Sequence, residues 1–295
     1  MSARRVVVVL GGDIRARSEA VAELLLDDGG TALVLTGHPG AVDPRLDTSE
    51  DGPVEVRADD PVARLEAYCS GAEDPDDDVL AALSTGSDAP LAAVLGWEYA
   101  RRAATADAWD VVVVELDGDL AAARRIAATG ELAAFVESRW PAHQRFASMA
   151  AGNRADVRMR EAHRLSLLAA DVADFLAGPV ELLVVGASPG RTATLAALAR
   201  GAVVPEVSPD GEGAFLATLD VPDPPTAPVA VEGERLRLEL DGFRAALPLP
   251  PLLSRCRLTE TTHDPERGVV TARFVPDPAL WPAHLVPAGL ADRAG

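Results

Sequence analysis

Apolar runs alternate with helical patterns over the first two-thirds of this chain, and the period changes to two in the last third. The run Val6–Leu10 reads as a buried strand, broken by Gly11-Gly12, with a helix from about Ser18. That helix carries Val21, Leu24 and Leu25 on one face and stops at Gly29-Gly30, a suitable C-terminal cap. Ala32–Thr36 is the second strand, and a polar stretch leads to a helix over Asp60–Tyr68, opened by Asp-Pro. Val111–Val114, framed by Asp110 and Glu115, predicts a strand buried on both faces. Long helical patterns follow over Leu120–Trp140 and Val157–Leu176, then Leu182–Val185 as a further central strand and Thr192–Arg200 as a helix. This alternation predicts an α/β fold, a parallel sheet flanked by helices.

Val221–Pro228 holds four prolines in eight residues and reads as a linker. Beyond it Leu236, Leu238 and Leu240 alternate with charged residues, and Asp241-Gly242 turns the chain into Phe243–Leu247. Cys256–Thr261 and Val269–Val275 supply two more strands. The predicted organisation is an α/β domain over 1–220, a linker over 221–228, a small antiparallel β module over 229–275 and a proline-rich tail over 276–295.

The net charge of −19 argues against nucleic acid and against anionic membrane surfaces, which demand basic patches. All 27 basic residues are arginines, so lysine chemistry is excluded. Cys69 and Cys256 lie 187 positions apart with no Cys/His cluster, which argues against a disulfide framework and against a zinc site. No apolar stretch reaches 18 residues and no secretory leader pattern opens the chain, so a cytoplasmic protein without a membrane span is expected.

The strand, glycine turn and helix at 6–28 have the layout of a phosphate loop. A GxxxxGK[ST] loop uses glycines to let backbone amides crowd the phosphates, and a lysine to reach the outermost ones. Here Gly11-Gly12-Asp13-Ile14-Arg15-Ala16-Arg17-Ser18 keeps two early glycines, then offers an acid, an isoleucine and an alanine. On the plain reading Arg17 is an exposed first-turn arginine, Ser18 a helix N-cap, His38 a surface loop residue, and Glu115 and Asp117 solvate a strand end. Strand C-termini are also where α/β proteins bind ligands. The run Glu73–Asp78 lacks calcium-loop glycine spacing and reads as a solvated loop.

Taken in order, these segments resemble the ArsA family of anion-pump ATPases, relatives of the targeting factor for tail-anchored membrane proteins, over nearly the whole chain. Against the family's GKGGVGKTT loop, Gly11 keeps the first glycine and Gly12 stands at the signature lysine. Asp13, Ile14 and Ala16 replace glycines, Arg17 falls on the catalytic lysine, and Ser18 on the magnesium-binding threonine. Thr36-Gly37-His38-Pro39-Gly40 resembles the family's S-T-D-P-A switch, with His38 at the water-positioning aspartate. Asp110–Glu115 resembles the strand before its second switch, while Leu116–Asp119 departs from that switch. Arg124-Arg125-Ile126 and Glu131–Pro141 fit the next helix. Leu236–Leu240, Gly242-Phe243-Arg244 and Leu247-Pro248 resemble the α-crystallin-like module of bacterial members.

The resemblance implies a P-loop NTPase-like fold, with Gly11, Gly12, Arg17 and Ser18 as a degenerate phosphate loop and His38, Glu115 and Asp117 as positional catalytic candidates. The departures fall on catalytic positions, so an eroded ATP–magnesium site is expected. The implied role is a non-hydrolysing partner of an intact ArsA-like ATPase subunit, as a heterodimer, or a homodimer. The alternative is an atypical active ATPase using Arg17, Ser18 and Glu115. A separate motif, Gly186-Ala187-Ser188-Pro189-Gly190, matches the G-x-S-x-G nucleophile elbow, with Asp220 or Asp223 and His263 or His284 downstream. Pro189 has no N–H for an oxyanion hole, which counts against a serine hydrolase.

Overall fold

The structure, a computed structural model, describes residues 5–71, 90–106, 108–151, 157–178, 180–201, 203–221, 225, 228–240 and 242–281. The acidic run Glu73–Asp78, Asp223 and His284 lie outside the described residues. The chain forms two compact units, Met1–Thr192 and Ala193–Gly295.

The first unit is α/β. Its five parallel strands are β1 (Arg5–Gly11), β2 (Ala32–Thr36), β3 (Val54–Ala58), β4 (Val111–Asp117) and β5 (Val180–Val184), in spatial order β3-β2-β4-β1-β5. The valine runs explain the centre. Val111–Val114 of β4 are all at most 5% exposed, because β4 lies between β2 and β1 with helices on both faces. The expectation that β5 is central is corrected: it is an edge strand, shorter than its neighbour β1 and with partly exposed residues. At the other edge β3 falls within the stretch read as polar loop, since its VEVRA sequence buries only Val54.

Helix α1 (Ile14–Asp28) covers one face, where Val21, Ala22 and Leu25 pack with Val7, Val9, Val34 and Val113. Its start is corrected from Ser18 to Ile14, while Gly29 caps its end as expected. Helix α2 spans Pro61–Gly71, α3 Pro90–Thr105, α4 Asp119–Arg139, α5 Ala142–Ala150, α6 Val157–Ala177 and α7 Pro189–Ala199. Among these α4 packs against α3 and α6, and Trp97 of α3 is fully buried with its indole N–H donating to the Arg125 carbonyl at 2.9 Å. Helix α5 went unread because it is short. It is anchored by Arg145, which is buried and donates to the Trp140 carbonyl and to Glu137.

The second unit contains two antiparallel sheets. One is β10-β9-β8, from β8 (Ala230–Glu232), β9 (Arg235–Leu240) and β10 (Phe243–Pro248). The period-two pattern holds there: Leu236, Leu238, Leu240, Phe243, Ala245 and Leu247 are buried, and Gly242 takes φ 83° at the turn. The other sheet is β11-β12-β7-β6, from β6 (Glu206–Pro209), β7 (Phe215–Asp220), β11 (Cys256–Asp264) and β12 (Val269–Pro276). Strands β6 and β7 precede the proline-rich stretch in sequence, yet β7 pairs with β12. Among the described residues no helix is long and apolar enough to cross a membrane.

Candidate functional site

Strand order reverses between β1 and β4. From β1 the chain crosses through α1 to β2, passing over β4; from β4 it returns to β5 on the other side of β1. In open parallel sheets this reversal opens a crevice at the strand C-termini. Gly11 and Asp117 are register partners at that point.

The turn from β1 to α1 has no room for a phosphate loop. β1 ends at Gly11, Gly12 follows, and Asp13 is already the N-cap of α1. A helix N-terminus leaves its first amides free, and these are the groups that cradle anions. Here the Asp13 carboxylate accepts from the Arg15 amide at 2.8 Å and the Ala16 amide at 3.3 Å, and its carbonyl accepts from the Arg17 amide at 3.0 Å. The protein's own carboxylate occupies the anion-binding end of the helix. Gly11 serves packing instead: a Cβ there would lie 2.3 Å from the Val185 carbonyl oxygen. Gly12 is exposed and a Cβ on it would meet nothing.

Because α1 begins early, Arg17 is in its first turn and Ser18 follows inside the helix. Ser18 is therefore not the N-cap, and it is nearly buried. Arg17 is not exposed. Its side chain has 0% exposure and reaches back under the strand ends, where Nε donates to Glu115 Oε1 at 2.8 Å and Nη1 to Asp117 Oδ1 at 2.7 Å and to the Gly11 carbonyl. Glu115 is 7% exposed and Asp117 59%. The α1 cation and the β4 carboxylates are thus spent on one another. A buried charge requires such pairing, and removing one partner strands the other.

Beside this lock lies a cleft of about 190 Å³ at the ends of β2 and β4. Arg17, Glu115 and Asp117 line it with Thr36, Asp59 and Arg125, and exposed His38 borders it from the turn after β2. The structure therefore gathers Arg17, His38, Glu115 and Asp117 around one cleft. Sequence reasoning missed a second ion cluster there. Asp59 pairs with both Arg64 of α2 and Arg125 of α4. Burial, and then the neighbouring Arg125 charge, lower the Arg64 pKa to about 10; burial alone lowers Arg125 to about 10. The signal available was slight: Asp59 precedes a helix start, and Arg125 adjoins the buried Ile126. Among the described residues no group of His, Cys, Asp and Glu is arranged to hold a metal ion.

At the elbow-like segment Ser188 is exposed, and Pro189 opens α7, the first-turn position that suits a residue without an N–H. Asp220 and His263 belong to the β unit, where the His263 ring Nε2 lies 3.3 Å from the Val221 carbonyl. The chain matches no protein-family model and no curated protein sequence.

Proposed function

We propose that this chain is a nucleotide-independent relative of the ArsA-like ATPases, a regulatory or structural partner of an intact ATPase subunit or of a second copy of itself. The observation that carries this reading is the double self-satisfaction of the turn after β1. Asp13 occupies the amides that would meet phosphate, and Glu115 with Asp117 engages the only cation of the α1 first turn directed at the strand ends. Phosphoryl transfer depends on amides and positive charge positioned to meet the phosphates, and both are committed internally here. A triphosphate entering the turn would have to displace the Asp13 carboxylate and break a buried ion pair.

Titration calorimetry with ATP and magnesium tests the reading, with no binding heat expected. Stoichiometric ATP binding, with hydrolysis lost in Arg17→Ala, would overturn it in favour of the atypical ATPase using Arg17, Ser18 and Glu115. Partnership is tested by adding the chain to an intact ArsA-like ATPase, whose hydrolysis rate is expected to change with saturation at a fixed stoichiometry.

A further inference from the structure

Helix α6 buries Ala162, Leu165, Ala169, Val172 and Leu176 against its neighbouring helices. On the opposite side Arg160, Arg164, Leu167, Ala170, Asp171 and Asp174 form an exposed stripe. The stripe is basic before Leu167 and acidic after it, with Arg160 and Asp174 seven residues to either side. A helix dipole favours acids in the first turn and bases in the last. Helix α6 has no acid in its first turn and no base in its last, and carries Arg160 and Asp174 there instead. This charge order opposes the helix on its own and complements a copy of it running the other way.

Apolar surface lies beside the stripe. The short helix α5 fully buries only Arg145 and turns Phe146 and Met149 outward, 57% and 38% exposed. The Phe146 ring meets the His163 ring edge-on at 5.8 Å, and Leu167, 53% exposed, follows one turn along α6. Exposed apolar side chains gathered inside a charged rim mark an interaction surface. Contacts within the chain leave the stripe's charges open to a partner. Arg164 Nε lies 3.5 Å from a Glu161 carboxylate oxygen and its guanidinium sits 4.6 Å over the Tyr68 ring, yet its side chain stays 52% exposed. Asp171 adds its field to Arg101 of α3, a guanidinium already held by Glu98.

We propose that α6 is a dimerisation helix, packing antiparallel on α6 of a second copy of this chain about a two-fold axis at Leu167. Symmetry then sets Leu167 against the partner's Leu167. It also sets Arg160 against the partner's Asp174 and Arg164 against the partner's Asp171, each contact made twice. The His163 flank, extended by Phe146, meets the partner's Ala170, where a small side chain lets the helices approach. Antiparallel packing also opposes the two helix dipoles. The pairing uses no residue of the turn after β1, so it goes beyond the nucleotide-independent reading and stands or falls separately from it.

Sedimentation equilibrium of the full chain at about 1–100 μM tests the pairing. A reversible monomer–dimer equilibrium that weakens in about 0.5 M sodium chloride is expected. Arg160→Asp and Asp174→Arg, made separately, each put like charges across the axis and should weaken the dimer about 10- to 100-fold. Mixing the two variants should restore it, because in the mixed pair both contacts are again between opposite charges. Leu167→Glu, at the centre, should give a monomer, and it decides the matter if a charge variant fails to fold. A monomer throughout, a dimer indifferent to these substitutions, or no recovery on mixing overturns the proposal. ATP–magnesium binding overturns the nucleotide-independent reading alone, and the sedimentation results still decide this one.

Discussion

Arg17 shows how far one side chain can redirect a site. A lysine-like position in a first helical turn invites a phosphate role or simple exposure, and neither describes this guanidinium, which is buried against Glu115 and Asp117. Truncation should be costly because it strands the Glu115 carboxylate. Arg17→Met is expected to lower unfolding free energy by about 3–5 kcal/mol in denaturant titrations, and adding Glu115→Leu should recover most of the loss. Asp13 belongs to the same system from the other side. Asp13→Ala removes the cap of α1 and should cost about 1 kcal/mol in the same assay. These roles were hidden because burial and direction depend on the length of the preceding turn, and residue type does not report that length.

Among the elements, those with an unambiguous period were legible in the sequence: the valine strands β1 and β4, strand β2, the long helices α4 and α6, and the β9–β10 hairpin. What escaped follows from weak patterning. β3 is an edge strand with a single buried residue, and β6 is a four-residue strand that buries none fully. β5 carries a central-looking apolar run at a sheet edge. The strand–turn–helix at the site was placed correctly, but its helix starts at Ile14 because Asp13 caps it. The junction also constrains Gly11 for reasons unrelated to phosphate. Gly11→Ala is expected to lose about 1–3 kcal/mol by forcing β1 away from the Val185 carbonyl, seen as a lower denaturant midpoint with unchanged slope.

For the whole molecule, the described residues of this acidic, lysine-free chain include many arginines paired with its own carboxylates. In the second unit Asp210 is an example. Burial would raise its pKa, but the Glu212 and Ala214 amides, each at 2.8 Å, and Arg273 at 2.7 Å hold it below its ordinary 3.8. The folded state thus binds the proton less readily than the unfolded one. Its contribution is present above pH 3.8 and is lost as pH falls through the lower folded value. Acid titration of stability should steepen below about pH 4, and Asp210→Asn should flatten that limb. The Asp13 cap and the Arg17 lock also limit how this turn can change. Opening the turn to a phosphate would need a longer turn, an uncapped helix and a freed cation together, while each change made alone leaves an uncapped helix or an unpaired buried carboxylate. The arrangement therefore resists change one step at a time: no single mutation opens this turn to an anion without a loss of stability first.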